Sequence, residues 1–333
     1  MNRTFLLFLS FTLLIISCKE EIKEKDSTKK QTGSLLVNAP TFSGENAFNL
    51  VEKQVSFGPR VPNSEGHIAM GFWLVDTLKK YADTVYVQQA DLKAFDGKIL
   101  KSKNIIASFN PERAKRMFVS AHWDTRPFAD QDSERREEPI LGANDGASGV
   151  AVLIELARIL KENKPTQGID LIFFDSEDYG QPSSSEYPYM EDSYCLGSQY
   201  WAKNVHTPDY SAQFGILLDM VGAKNAQFTQ EGFSRQYADF YVQKVWNYAH
   251  AIGYGKHFSF NKTNPITDDH FYVNTIANIP TIDILHHDKT TPTGFGKYWH
   301  THNDNLDAVD KETLKAVGQT VTQVIYQFDQ GKF

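Results

Sequence analysis

Acidic residues and histidines fall at particular places along this chain, directly after short apolar runs or directly before helical ones. Met117-Phe-Val-Ser-Ala runs into His122-Trp123-Asp124, Leu171-Ile-Phe-Phe into Asp175-Ser176-Glu177-Asp178, and Ile216-Leu-Leu into Asp219. Gly142-Ala-Asn-Asp145-Gly-Ala-Ser-Gly opens one amphipathic stretch, and Trp299-His300-Thr301 precedes another. A buried carboxylate is costly unless it is paired, hydrogen-bonded or bound to metal. Several converging on one edge repel each other, and a cation is the simplest relief. Mixed carboxylate and imidazole donors point to zinc or a similar first-row metal rather than calcium or magnesium. Singly, each group has a plainer role. His122-x-Asp124 suits a hydrogen-bonded pair, Asp145 a helix cap, Glu177-Asp178 a solvated loop and His300 a surface site. Their joint occurrence, in order, at successive strand ends favours one metal-dependent active site.

The elements that must position these residues are legible in the apolar pattern. Asn104 to Phe109, Met117 to Ala121, Leu171 to Asp175, Gly215 to Asp219 and Thr281 to Leu285 are dense in large apolar residues without strict alternation. That suits strands covered on both faces. Ala147 to Leu160, Gln236 to Ile252 and Lys311 to Phe328 carry apolar residues at helical spacing. Their alternation predicts an α/β fold with a mixed, mostly parallel central sheet and helices on both faces. In such sheets ligands bind at the carboxyl ends of the strands, which is where the acids and histidines fall. No internal repeat and no Pro- or Gly-rich linker divides the chain after Leu35, so residues 38–333 are expected to form one catalytic domain.

The 333 residues carry a formal charge of −7, from 41 acidic and 34 basic side chains. With no long basic run, nucleic acid is excluded as an expected partner. The N-terminus reads as an export signal: Asn2-Arg3, a nearly unbroken apolar stretch from Phe5 to Ile16, then Ser17-Cys18. At roughly 12 residues this stretch suits a signal core and falls short of the about 20 that span a bilayer. Its end resembles a bacterial lipoprotein box. Residues 1–17 are therefore expected to be removed and Cys18 to carry lipid, the sole membrane contact, with residues 18–37 a charged, disordered tether. Lys19-Glu20-Glu21 resembles an acidic tag of surface-exposed lipoproteins. The expected location is the cell envelope, on the periplasmic side of a membrane or at the cell surface. The second cysteine, Cys195, then has no partner in the chain, so stability must rest on packing or on metal. It is expected to be buried, and a monomer is favoured.

The order His122-x-Asp124, Asn144-Asp145, Glu177-Asp178, Asp219, His300 resembles the zinc-dependent aminopeptidase superfamily with co-catalytic metals. Its fold is the α/β sandwich of the zinc aminopeptidase and phosphorylase-hydrolase type. Finer features resemble the glutaminyl-peptide cyclotransferase (glutaminyl cyclase) branch: Ala121-His-Trp-Asp-Thr-Arg126, Phe174-Asp-Ser-Glu-Asp-Tyr-Gly180, Leu218-Asp-Met-Val-Gly222, Asp268-Asp-His270, Tyr298-Trp-His-Thr-His-Asn-Asp304 and Gly58-Pro-Arg-Val-Pro-Asn-Ser-Glu-Gly66. The match runs from about residue 45 to the C-terminus. The resemblance implies one zinc ion per chain held by Asp145, Asp178 and His300, with Glu177 as general acid and base. It makes Asp219 and Asp268 a hydrogen-bonded acidic relay, and Trp299 and Phe295 apolar walls for the substrate side chain. His122 and Asp124 are left as candidates for a second metal or for support of the first. Three features depart from the pattern. The disulfide beside the vertebrate site cannot form here, Asp178 stands where many relatives carry the longer glutamate, and Gln181 to Ser193 does not match the animal sequences. Together these suggest a bacterial form.

The implied substrate is the N-terminal glutamine of a peptide. Its own α-amine attacks the zinc-polarised side-chain amide, closing pyroglutamate and releasing ammonia, with Glu177 moving the proton. The alternative is a two-zinc aminopeptidase, in which His122 and Asp219 hold a second ion, Asp145 bridges and Glu177 activates water. Asp268-Asp269-His270, which offers Asp219 a carboxylate partner, the Trp299-His300 pair and the aromatic-rich segment at His122 tilt the reading to the cyclase. A catalytically dead binding lipoprotein would lack a ligand or the acid–base carboxylate, and none is missing. His302 competes with His300 as ligand, and the Trp-His-Thr context favours His300. His286 and His287 are expected in structural hydrogen bonds, and His67 and His270 as orienting groups. Trp123 suits pocket and core equally. Asp130 to Glu138 is a charged insertion between the Arg126 and Gly142 motifs.

Overall fold

The computed structural model of the chain describes residues 36–333. The export signal, the Cys18 anchor and all but the end of the expected tether lie outside the described residues. The domain opens with two helices, α1 (Gly44–Val55) and α2 (Glu65–Leu78). Each starts at a serine whose hydroxyl accepts an otherwise free backbone N–H, Ser43 from Asn46 and Ser64 from His67. A hairpin of β1 (Thr84–Lys93) and β2 (Ile99–Phe109) follows, then β3 (Arg116–His122), α3 (Ala147–Glu162) and β4 (Gly168–Phe174). The chain continues through α4 (Leu196–Lys203), β5 (Gly215–Asp219), β6 (Phe228–Gln230), α5 (Gly232–Ala251) and β7 (Phe258–Lys262). It ends with α6 (Asp269–Tyr272), β8 (Thr281–Leu285) and α7 (Lys311–Asp329).

The central sheet has the strand order β1-β2-β4-β3-β5-β8. β3, β4, β5 and β8 run parallel, and β2 pairs antiparallel with both β4 and β1. The sheet is therefore mixed and mostly parallel, as expected from the alternation of elements. Successive strand residues point to opposite faces, and here both faces are covered. Ile105, Val119, Ala121, Leu171, Phe173, Ile216 and Leu218 join the main core with residues of α1, α2, α3, α5 and α7. Ile106, Phe118, Ile172 and Phe174 point the other way, against Trp201 of α4 and Val273. This double burial is why the strands show no polar alternation. Trp123 belongs to the core, stacked on His67 with ring centroids 4.3 Å apart.

α5 begins at Gly232 rather than Gln236, because the Glu231 carboxylate caps it by accepting the N–H groups of Phe233 and Ser234. The edge strand β1 and the short β6 and β7 were not expected. In the register of the parallel strands His122 lies opposite Phe174, and Asp219 opposite Leu285. The strands therefore stop level, and the residues that follow them share one edge. Among the described residues no helix is long and apolar enough to cross a membrane.

Candidate active site

Asp145, Asp178 and His300 come from three separate loops and converge at that edge, with one ligand atom of each within 4.8 Å of the others. His300 Nε2 lies 3.3 Å from Asp178 Oδ1 and 3.8 Å from Asp145 Oδ2. Two donors each about 2 Å from a tetrahedral centre stand about 3.3 Å apart, so the spacing fits one shared ion. All three residues are buried, and Asp178 Oδ2 has no hydrogen-bond partner. An orphaned carboxylate oxygen in such a place is what a cation would satisfy. The donor set and its geometry thus fit zinc, and the plainer readings fail. The residue that caps α3 is Gly146, not Asp145, and of the Glu177-Asp178 pair Asp178 is buried while Glu177 faces a pocket.

Each member is held from behind. Asp304 accepts the backbone N–H groups of Asn144 (2.7 Å) and Asp145 (3.0 Å) through its two oxygens. Asp124 does the same for Glu177 (3.0 Å) and Asp178 (3.2 Å), which places it as support and not as a ligand. His300 Nδ1 lies 3.2 Å from Asp130 Oδ1, and its ring stacks on Trp299 at 3.8 Å. Arg126 donates to Asp130 (2.6 Å) and to the carbonyl of Asp178 (3.0 Å), tying two sides of the cluster together. Burial opposes ionisation of Asp130, but His300 and Arg126 hold its carboxyl well below the usual range. His302 turns away to Asp132, 2.8 Å distant, so the competition resolves to His300.

Backbone conformation marks the same place. Ser176, Cys195, Met220 and His300 all have φ between 50° and 57°, the left-handed region that non-glycine residues avoid. Gly146 has φ +93°, and a Cβ there would sit 2.8 Å from the Asp124 carbonyl and 3.2 Å from the His122 ring.

His122 forms a second constellation. Its Nε2 is 3.0 Å from Asp145 Oδ1 and 3.3 Å from Asp219 Oδ1. Asp145 therefore turns one oxygen to His300 and the other to His122. Burial opposes a charge on His122, yet Asp124, Asp145 and Asp219 push its pKa well above the usual value. These carboxylates attract positive charge from whatever lies nearest. Glu177, Cys195 and Asp268 form a third group within 4.8 Å. Burial raises the Glu177 carboxyl well above its ordinary range, and Asp178 adds to this while His122 opposes it. Burial, and then the charge of Asp219, raises Asp268 likewise. Buried carboxyls so close to each other hold protons that solvated ones would lose.

Asp145, Glu177, Asp178, Asp219, Asp268 and His300 line a pocket of 300 Å³. One wall is acidic, and Met220, Ile266, Leu285, Phe295 and Trp299 make the other, with the last two rings 4.6 Å apart. A separate cavity of 340 Å³ is lined by Phe95, Phe128 and Tyr187 and includes Asp130, but none of the other groups described above.

Asp145, Glu177, Asp178, Asp219, Asp268, Phe295, Trp299 and His300 thus line one pocket. His122 lies against Asp145 and Asp219 and Asp124 behind the Glu177-Asp178 backbone, while Trp123, His67, His286 and His302 lie away from the pocket. The site residues not foreseen are mostly the ones behind this lining: Asp304, Asp130, Arg126 and Cys195. Cys195 is buried as expected, but its thiol donates to Glu177 Oε1 at 3.2 Å, and its N–H donates to the Glu177 carbonyl at 2.8 Å. Asp304 closes the Trp-His-Thr-His-Asn-Asp run, and that adjacency was the one signal available for it. His286 donates or accepts at the Tyr298 hydroxyl, 2.7 Å away, outside the pocket lining.

An α/β sandwich with carboxylates and histidines gathered for divalent metal at its parallel strand ends defines the class of metal-dependent exopeptidase folds. The sequence model of Peptidase family M28 matches residues 104–325, and the chain belongs to that family. It is 51% identical to a glutaminyl cyclase from Bacteroides thetaiotaomicron solved with N-acetylhistamine, over 87% of this chain and 99% of that one, with a TM-score of 0.85. It is 50% identical, with the same coverage and TM-score, to a Zn-dependent exopeptidase from Parabacteroides distasonis. Among curated relatives, aminopeptidase YwaD of Bacillus subtilis is 27% identical over 86% of this chain and 57% of its own length. The chain thus spans less than two thirds of that relative.

Proposed function

We propose that this protein is a glutaminyl-peptide cyclotransferase that converts the N-terminal glutamine of peptides to pyroglutamate with release of ammonia. The observation that carries the reading is the carboxyl cluster in the pocket: Asp268 lies within 4.8 Å of Glu177, Asp219 lines the same pocket, and burial and then the charge of Asp219 raise the Asp268 carboxyl. The 51% identity to a solved glutaminyl cyclase over nearly its whole length supports it.

Asp145, Asp178 and His300 would hold one zinc ion, whose chemistry is Lewis-acid polarisation of the glutamine amide. The apolar wall of Phe295 and Trp299 packs the methylenes of the glutamine side chain and keeps water from the reacting carbon. Glu177, its carboxyl at the pocket surface, takes a proton from the attacking α-amine. It returns that proton to the departing nitrogen, so one C–N bond forms, one breaks and no water is consumed. Asp219 and Asp268 share the proton that lets the pocket keep its acids so close. The Cys195 thiol fixes one oxygen of Glu177, leaving the other to work.

A second reading has its own support. His122, Asp145 and Asp219 also suit a metal, and a second ion there would make a two-metal aminopeptidase. Metal content measured beside a paired assay separates them. One zinc per chain with ammonia from Gln-initiated peptides supports the cyclase. Two metals with free amino acid released overturn it. Export and anchoring through Cys18, with monomeric action at the cell envelope, complete the proposal. Loss of membrane association in Cys18→Ala is its check.

A further inference from the structure

The pocket does not end at its apolar wall. Ile266 and Phe295 also line a groove of 550 Å³, so pocket and groove are continuous across those two side chains. The groove runs between the loop that leads from β7 to α6 and the loop that leads from β8 toward His300. The second loop is braced by its own hydrogen bonds. Asp288 N–H donates to the Gly294 carbonyl (2.8 Å), and the Thr291 hydroxyl donates to the Phe295 carbonyl (2.6 Å). The Asp288 carboxylate is turned back onto Thr290, accepting its N–H and hydroxyl at 2.9 and 2.6 Å. A groove held in this way is formed before a ligand arrives, as small-molecule and peptide sites generally are.

Its chemistry is the reverse of the pocket's. Asp145, Glu177, Asp178, Asp219 and Asp268 line the pocket. Lys289 is the one charged side chain lining the groove, apart from His287, which burial keeps below its usual pKa despite the charge of Asp288. Lys289 is exposed and makes no ion pair among the described residues, unlike Lys98, Lys101, Lys164 and Lys311. The remaining lining offers hydroxyls, one amide and prolines, which suits backbone and small side chains of varied sequence.

We propose that this groove receives the second and third residues of the substrate peptide, and that Lys289 selects an acidic group there. The group is an aspartate or glutamate side chain, or the free carboxylate of a short peptide. The inference rests on the reading of the pocket as the site of the N-terminal glutamine. An extended chain advances about 3.3 Å per residue, so the residues next to the glutamine are the ones that cross Ile266 and Phe295. The acidic pocket disfavours a carboxylate any nearer to the reaction, which makes the groove the place where negative charge is tolerated.

The test uses four amidated substrates: glutaminamide, Gln-Ala-Glu, Gln-Ala-Gln and Gln-Ala-Lys. For the wild type, kcat/KM should fall from the Glu to the Gln to the Lys peptide, by about two- to fivefold across the series as an exposed ion pair gives. The difference should lie in KM and should shrink in about 1 M salt, where the screening length is near 3 Å. Lys289→Glu should reverse the order while leaving glutaminamide turnover unchanged. Equal rates across the tripeptides, or an order that survives Lys289→Glu, overturns the subsite while glutaminamide turnover leaves the cyclase reading intact. No ammonia from any substrate, glutaminamide included, overturns that reading and the subsite with it.

Discussion

Asp304 makes the strongest claim on the way this site is built, because it touches no reacting atom. Its two oxygens accept the N–H groups of Asn144 and Asp145, at 2.7 and 3.0 Å, and so fix the backbone from which Asp145 projects. Asp304→Ala leaves both donors buried without an acceptor. Each such group costs about 1–3 kcal/mol, partly relieved by backbone adjustment, so a loss of about 2–4 kcal/mol is expected. For a domain of this size about 1 kcal/mol corresponds to roughly 2–4 °C, and the metal-free protein should melt about 4–16 °C lower. Groups that orient a metal ligand typically contribute about 10–100-fold to affinity, and zinc binding, read by chelator competition, should weaken by that factor. Asp304→Asn keeps one acceptor and should fall between. A lower melting temperature with unchanged zinc affinity would refute the argument, because Asp304 would then stabilise the fold without placing Asp145.

Three other predictions follow from particular contacts. Glu177→Gln should lower turnover by about 10²–10⁴-fold, the usual worth of a general acid–base group, with zinc content unchanged; activity at the wild-type level removes Glu177 from the mechanism. Cys195→Ala, which removes the thiol 3.2 Å from Glu177 Oε1, should lower kcat about three- to tenfold at constant KM, in keeping with one ordinary hydrogen bond of about 0.5–1.5 kcal/mol. Cys195→Ser should restore most of it, and failure of that rescue would make the cysteine a packing residue. His206 is lowered to about 4 by burial, and its Nδ1 accepts from the Trp201 indole at 3.1 Å. The unfolded chain binds this proton near pH 6.5 and the folded one only near 4, so stability is complete above 6.5 and declines as pH falls between those values. The decline attributable to His206 is about 3 kcal/mol, seen as the difference between wild type and His206→Gln in denaturant titrations across that range. Parallel pH curves for the two proteins would contradict it.

The parallel strands could be read from the sequence because burial on both faces leaves a dense apolar signature, and the runs at Met117, Leu171, Gly215 and Thr281 all became strands. The edge strand β1 escaped because only an outer strand mixes exposed charged residues such as Asp91 and Lys93 with half-buried ones. α4 and α6 escaped because eight and four residues are too few to show a period. α2 is apolar on nearly every side, with Ile68 and Phe72 exposed, so its pattern carries no face to recognise.

For the site, the sequence by itself determined the inventory: which acids and histidines follow which strands, and hence that a metal-seeking cluster must form at one edge. Strand ends in a parallel sheet share that edge whatever the details of packing, and this is why the acids and histidines could be placed together without coordinates, while the choice of Asp145, Asp178 and His300 as the ligand set came from the family resemblance. Only the tertiary structure decided the division of labour among them. It turned Asp124 into a backbone acceptor, sent His302 to Asp132, split the two oxygens of Asp145 between His122 and His300, and set the thiol of Cys195 against Glu177. Those outcomes depend on separations of a few tenths of an ångström between groups far apart in the chain. Residue order carries no such information, because hydrogen bonds and metal coordination are decided by where side chains end and not by where they begin.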